Sequence, residues 1–140
     1  MLHDFDWEHF PTLEEHPVKG CEELRKQGYG EDIVEAILGH NKATGIPRRS
    51  LMAKTLFAVD ELSGLVVALG RVRPGNFEGM TAKSVRKVMK KKDFAAAISR
   101  DDIIQGMEEL GLKEDDDEGR NAHFELIIGA LSGIKKKLGF

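Results

Sequence analysis

The sequence predicts an all-α fold, and three observations predict it. Apolar residues recur at helical spacing, as in Ile33, Val34, Ile37 and Leu38, or Leu126, Ile127, Ala130, Leu131, Ile134 and Leu138. β-branched residues are scattered, and alternation of apolar and polar residues is never sustained. Helix punctuation is frequent, with Ser or Thr before apolar runs and Gly after them. A helical bundle of about seven helices is expected. No internal repeat or long linker divides the 140 residues, so a single domain over 1–140 is expected.

The elements follow in order. Residues 1–11 read as irregular, or as the tail of a helix that would start upstream. Thr12 and Glu15 have capping-box spacing, and Pro17 suits a first helical turn, so a helix is expected over 17–27. Gly28 suits its C-cap. A second helix is expected over 31–38, ended by Gly39, and residues 40–49 form a loop marked by Gly45 and Pro47. Ser50 reads as the N-cap of a long helix over 51–69, the most apolar segment of the chain. Pro74 and Gly75 make a turn. A basic helix is expected over 82–91 and a short one over 93–98. Ser99 caps a helix over 100–110, closed by Gly111. The acidic run Glu114 to Glu118 is a solvated loop or first turn, and the last helix is expected over 119–138. Lys135, Lys136 and Lys137 sit in its final turn, where cations favour a helix C-terminus.

Composition excludes several classes. Apolar residues are 41% and charged residues 32%, which argues against global disorder. The net charge of −3 is too mild for nucleic acid or an anionic membrane to be the main partner. The basic stretch from Lys83 to Lys92 lacks interleaved aromatic residues and reads as a solvated helix face. The lone Cys21 excludes an intrachain disulfide and a thiolate-only zinc site; it reads as a buried small hydrophobe. No apolar run approaches the roughly 20 residues that span a bilayer, and no signal-peptide pattern opens the sequence. A cytoplasmic location with no membrane partner is expected.

The chemistry lies in histidines and acids. His3 and Asp4 are adjacent, His16 lies at the start of one helix, and His40 follows the end of the next. Asp60 sits inside the most apolar helix, on a face with Leu56, Ser63, Gly64 and Val67 that is expected to point inward. An ionised carboxylate there needs a cation: Arg48, Arg49 or Lys54, or a metal. Imidazole and carboxylate together suit Fe, Mn, Zn or Ni. Asp6 is a candidate for acid–base or supporting work beside Asp4. Arg48 and Arg49 are candidates for binding a substrate phosphate.

The ordered set of motifs resembles a known family. Leu2-His3-Asp4, then His16-Pro-Val-Lys-Gly20, then Ala-Ile-Leu-Gly-His40-Asn41, then Ala-Val-Asp60-Glu-Leu, is similar to the HD-domain superfamily of metal-dependent phosphohydrolases. Within it, the chain is most similar to predicted bacterial hydrolases with a His-Asp-Phe-Asp-Tyr-Glu segment; here the segment is His3-Asp-Phe-Asp-Trp7-Glu. The resemblance runs over most of the chain. It implies an HD-like helical bundle with a metal site among its helices. By position, His3 and Asp4 match the family's central pair and Asp60 its last ligand, while His16 and His40 resemble the extra histidines of members that hold two metals. In those members the aspartate matching Asp4 tends to bridge the metals.

The resemblance therefore implies one or two divalent ions (Fe, Mn, Zn, Ni or Mg) held by His3, Asp4, His16, His40 and Asp60, with Asp4 and Asp6 in catalytic roles. The implied activity is hydrolysis of a small phosphorylated substrate, a phosphomonoester or phosphodiester such as a nucleotide, through a metal-activated water. The alternatives are an HD-type di-iron oxygenase and a non-catalytic or truncated HD-domain protein. One departure stands out: the histidine that members carry on a preceding helix has no counterpart before His3. His123 is a candidate stand-in. A missing first helix would leave apolar surface uncovered, so self-association into a homo-oligomer is expected.

Overall fold

A computed structural model describes residues 2–140 of the chain. Among the described residues the fold is all-α, with six α-helices, two 3-10 turns and no strand. The helices are α1 (Val18–Lys26), α2 (Glu31–His40), α3 (Leu51–Val72), α4 (Ala82–Met89), α5 (Arg100–Glu109) and α6 (Asp117–Gly133), with 3-10 turns at Leu2–Asp4 and Lys42–Thr44. Among the described residues no helix is long and apolar enough to cross a membrane. The chain divides into two compact units, one through Phe57 and one from Ala58 onward.

The first unit is built on the α1–α2 pair, whose apolar centre is Cys21, Leu24, Val34 and Ile37. α1 stops where the sequence asks it to. Gly28 takes φ +84°, and the N–H groups of Gly28 and Tyr29 donate to the carbonyls of Arg25 and Leu24, closing a Schellman cap. α2 does not stop at Gly39 but runs on through His40. Gly39 is instead a site of close approach: a Cβ there would lie 2.9 Å from Arg48 Cγ. The extra residue places His40 in the last turn of a helix rather than in a loop. Ser50 caps α3 as expected, its Oγ accepting the Ala53 N–H at 3.1 Å.

The second unit has the larger apolar core. Leu62, Leu65 and Val66 from α3 meet Val85 and Val88 from α4, Ile103 and Met107 from α5, and Phe124, Ile127 and Ile128 from α6 in one continuous cluster. Each such side chain, when fully buried, contributes about 1.5–3 kcal/mol. α3 and α5 approach closely because Gly106 has no side chain: a Cβ there would fall 2.5 Å from the Ala58 Cα. Ser99 caps α5 through the Asp102 N–H at 3.1 Å, and Gly111 at φ +87° ends it with a second Schellman cap. Asp116 caps α6, so the acidic run supplies its N-cap and first turn.

Three expectations are corrected here. Residues 93–98 form turns, not a helix. Ala95 sits at φ +47°, which breaks helical continuation. The Arg100 guanidinium gathers the carbonyls of Lys91, Phe94, Ala95 and Ile98 that a helix would have bonded internally. Secondly, the face of α3 carrying Asp60 is not the core face. Leu56, Asp60, Ser63 and Val67 are half-buried and Gly64 is exposed, while Leu62, Leu65, Val66 and Leu69 turn inward. Thirdly, α6 ends at Gly133, and Lys135–Lys137 lie in turns beyond it. Its buried face is Arg120, His123, Phe124, Ile127 and Ile128; Leu126, Ala130 and Ile134 are exposed.

Candidate metal centre

The candidate site lies in the first unit, where the Leu2–Asp4 turn, the segment before α1 and the end of α2 come together. His16 is buried. Its Nδ1 lies 2.7 Å from Asp6 Oδ1, and Asp6 Oδ2 accepts the Gly20 N–H at 2.9 Å. An ionised carboxylate only accepts, so the His16 proton belongs on Nδ1 and the Nε2 lone pair is left to face the site. His40 is fixed in the same sense by a short hydrogen bond from Nδ1 to the carbonyl of Ile37, in its own helix.

These two pairings have a common result. His16 Nε2 and His40 Nε2 face each other at 3.3 Å. Asp4 Oδ1 stands 3.5 Å from the first and 3.6 Å from the second. Two neutral imidazoles with protonated Nδ1 atoms cannot hydrogen-bond through their Nε2 atoms. A shared proton or a cation relieves the conflict. The three donor atoms lie within 4.8 Å of one another, the arrangement a single ion requires.

His3 is buried beside them, its Nε2 2.9 Å from the other Asp4 oxygen, Oδ2, and its ring edge-on to His40. The His3 imidazole, and after it that of His40, holds the Asp4 carboxyl far below the usual carboxylate range. Asp4 is therefore the anionic member of the set. Its side chain is 48% exposed, while those of His16 and Asp6 are 4% and 3% exposed. The site thus has a rigid, dry back and one wet side.

Three residues position this set, and sequence reasoning assigned none of them a role. Gly20 is required by contact: a Cβ there would sit 2.5 Å from Asp6 Cγ and Oδ2. The Asn41 amide donates to the His16 carbonyl at 2.8 Å and its Oδ1 accepts from the Ala43 N–H, tying the segment before α1 to the end of α2. Trp7 packs edge-on against the His16 ring with centroids 5.0 Å apart. Gly20 and Asn41 do stand within the motifs that carry the resemblance, four residues after His16 and one after His40.

The remaining candidates lie as follows. Asp6, a candidate for acid–base or supporting work, is only 2% exposed and engaged by both His16 and Gly20, the contacts of a positioning residue. The Arg48 guanidinium stacks 3.6 Å from the Phe57 ring centroid and donates to the Gly39 carbonyl at 2.7 Å, so it braces the last turn of α2. Arg49 is exposed, with its backbone N–H 3.4 Å from Glu35 Oε1. Asp60 belongs to the second unit, on α3. His123 also lies there, buried in the α6 face with Nε2 3.4 Å from the carbonyl of Ala58.

The donor set fits a divalent ion of borderline softness. Two imidazole nitrogens and one carboxylate oxygen suit Fe, Mn, Ni or Zn. The only thiol, Cys21, is buried among Leu24, Val34 and Ile37, and burial pushes its pKa up to about 11. An ion held by these three donors alone would keep coordination positions open. Comparison of the chain with protein-family models, with curated proteins and with solved structures finds no match.

Proposed function

We propose that this chain is an HD-type, metal-dependent hydrolase of a phosphomonoester or phosphodiester. The observation that carries the reading is the convergence of His16 Nε2, His40 Nε2 and Asp4 Oδ1, with each imidazole oriented from behind by Asp6 or the Ile37 carbonyl. Asp4, His16 and His40 would hold the ion. His3 and Asp60 complete the ligand set on the strength of the sequence resemblance. Bound there, a divalent ion supplies a Lewis acid and lowers the pKa of a coordinated water.

The chain's own residues do the rest. Asp6 keeps the His16 proton on Nδ1, so that Nε2 stays a donor of electrons. Asn41 ties the two histidine-bearing segments together, and Arg48 braces the last turn of α2. The half-exposed Asp4 marks the side from which substrate and water arrive. Arg49, exposed nearby in sequence, is the proposed cation for the substrate phosphate.

The test combines metal content with turnover. Plasma mass spectrometry on the purified protein should find a transition metal at near-unit stoichiometry, lost in His16→Ala and His40→Ala. Bis(p-nitrophenyl) phosphate or p-nitrophenyl phosphate should be hydrolysed only by the loaded form. Stoichiometric metal with no phosphate-ester cleavage would overturn the activity while leaving the site.

A second reading has an observation of its own. Two imidazoles and one carboxylate with open positions form the donor set of non-haem iron oxygenases. Oxygen uptake by the iron-loaded protein would favour it, and anaerobic phosphate release would favour the hydrolase.

A further inference from the structure

A second feature lies wholly within the second unit. Between α4, α5 and α6 lies an open-mouthed cavity of about 270 Å³. Four cationic side chains line it, Arg86, Lys90, Arg100 and Arg120, and no carboxylate does. Their compensation is incomplete. Arg86 is paired with Asp117 at 2.8 Å and with the Asn121 amide oxygen at 2.6 Å. Arg120 is only 7% exposed, yet its closest carboxylate, Glu108, is 3.6 Å away. Its Nε and Nη2 both donate to the single carbonyl of Leu112. The Arg100 guanidinium donates to four backbone carbonyls, and its buried Nε has no hydrogen-bond partner among the described residues.

A buried guanidinium without a close carboxylate is costly unless something else supplies the negative charge. Of the four, Arg120 is buried with its Glu108 partner 3.6 Å away, Arg100 is half-buried and Lys90 is exposed. The wall between them is apolar, formed by Met107 and Phe124, both buried, with Ile104 at the rim. We infer that the α4–α5–α6 cavity is a binding site for a small organic anion. The charged end, a phosphate or a carboxylate, meets Arg120 and Lys90, and the apolar body covers Met107 and Phe124. A guanidinium fork recognises either oxyanion, and a cavity of this size takes a compact ligand. An effector that reaches the protein as a phosphoester or as a carboxylic acid would meet the same chemistry.

The site is independent of the proposed metal centre, and the test keeps the two apart. The His16→Ala variant of the full chain, in the presence of a chelator, is titrated with phenyl phosphate, benzoate, inorganic phosphate and benzyl alcohol. Binding is followed in ¹H–¹⁵N spectra. Phenyl phosphate or benzoate should saturate shifts confined to residues of α4, α5 and α6 around the cavity; which of the two binds more tightly identifies the oxyanion. Inorganic phosphate and benzyl alcohol should each bind at least about tenfold more weakly, since each lacks one half of the ligand. Lys90→Glu, at an exposed position, should weaken binding about fivefold without changing the fold. Arg120→Gln should abolish it, and Lys90→Glu still decides the matter if Arg120→Gln fails to fold. Unsaturable shifts, shifts scattered over the surface, or equal affinity in Lys90→Glu would overturn the inference.

Discussion

The two units use their interiors differently. In the second, the buried side chains are overwhelmingly apolar, from Leu62 and Leu65 through Ile103 and Met107 to Phe124 and Ile128. In the first, the apolar centre is small, and His3, Asp6 and His16 are buried beside it. A buried imidazole or carboxylate is tolerated only when every polar atom has a partner. The first unit is therefore a scaffold whose order depends on specific polar contacts, Gly20 to Asp6 to His16, Ile37 to His40 and His3 to Asp4. The second depends on volume. Packing tolerates modest loss in proportion to the atoms removed, whereas a polar chain fails at any link.

The largest effect should come from attacking volume where volume matters. Leu65 is fully buried in the second unit. Leu65→Ala should cost about 2–5 kcal/mol, read as a lowered urea midpoint by circular dichroism. A loss below 1 kcal/mol would show that the core is looser than its burial implies.

The next attack is on the polar chain. Asp6→Ala removes the partner of His16 Nδ1 and should weaken metal binding about 10–100-fold, measured by competition with a chromogenic chelator. Gly20→Ala should act in the same direction, because its Cβ would occupy the space of the Asp6 carboxylate. Helix propensity alone argues the opposite for Gly20, since alanine stabilises a helix interior by about 1 kcal/mol. A Gly20→Ala protein that is more stable and binds metal as the wild type does would falsify the close-contact argument.

A smaller effect should be visible without any substitution at the site. Cys21 is the only cysteine, and it is buried in the first unit with its pKa pushed up to about 11 by burial. Both features make it inert to a thiol reagent until the first unit opens. Adding zinc or manganese should slow its labelling, because a ligand that binds the closed form shifts the opening equilibrium. Labelling that is fast and indifferent to metal would show that α1 and α2 open without disturbing the donor set.

Local signals were readable from the sequence, and distant ones were not. Ser50, Ser99, Gly28 and Gly111 act on atoms within a few residues of themselves, and each does what its position in the chain suggests. The segment 93–98 has helical composition, but its fate is decided by Arg100 reaching back to four carbonyls, which no periodicity encodes. Asp60 stands in an apolar helix, yet the two sides of α3 are unequally covered, and a helical wheel does not say which side the neighbours occupy. At the candidate site, His16 and His40 are 24 positions apart in the chain, and their spacing alone does not bring them together. Asp6 is the sharper case. Its closeness to Asp4 in sequence leaves acid–base and supporting roles both open, and its contact with His16 Nδ1 favours the supporting one.

The smallest effect separates the two units by pH. His123 is buried on the core face of α6, and burial holds its pKa below the ordinary histidine value, with the hydrogen bond at the Ala58 carbonyl acting weakly the other way. The folded state therefore binds a proton less readily than the unfolded chain does. Stability from this group is complete above the unfolded histidine value, about 6.5, and is lost progressively as the pH falls below it. Asp4 in the first unit has the same sign in a lower window. Its carboxyl is held below the ordinary aspartate range, so its contribution is present above about pH 4 and is lost only on acidification beyond that. Between about pH 6.5 and 5, the urea midpoint should fall in the wild type and fall less steeply in His123→Gln, whose side chain can still donate to the Ala58 carbonyl but cannot take up a proton. Parallel slopes in the two proteins would mean that another histidine carries the acid sensitivity, and His9, His16 and His40 would then be replaced in turn.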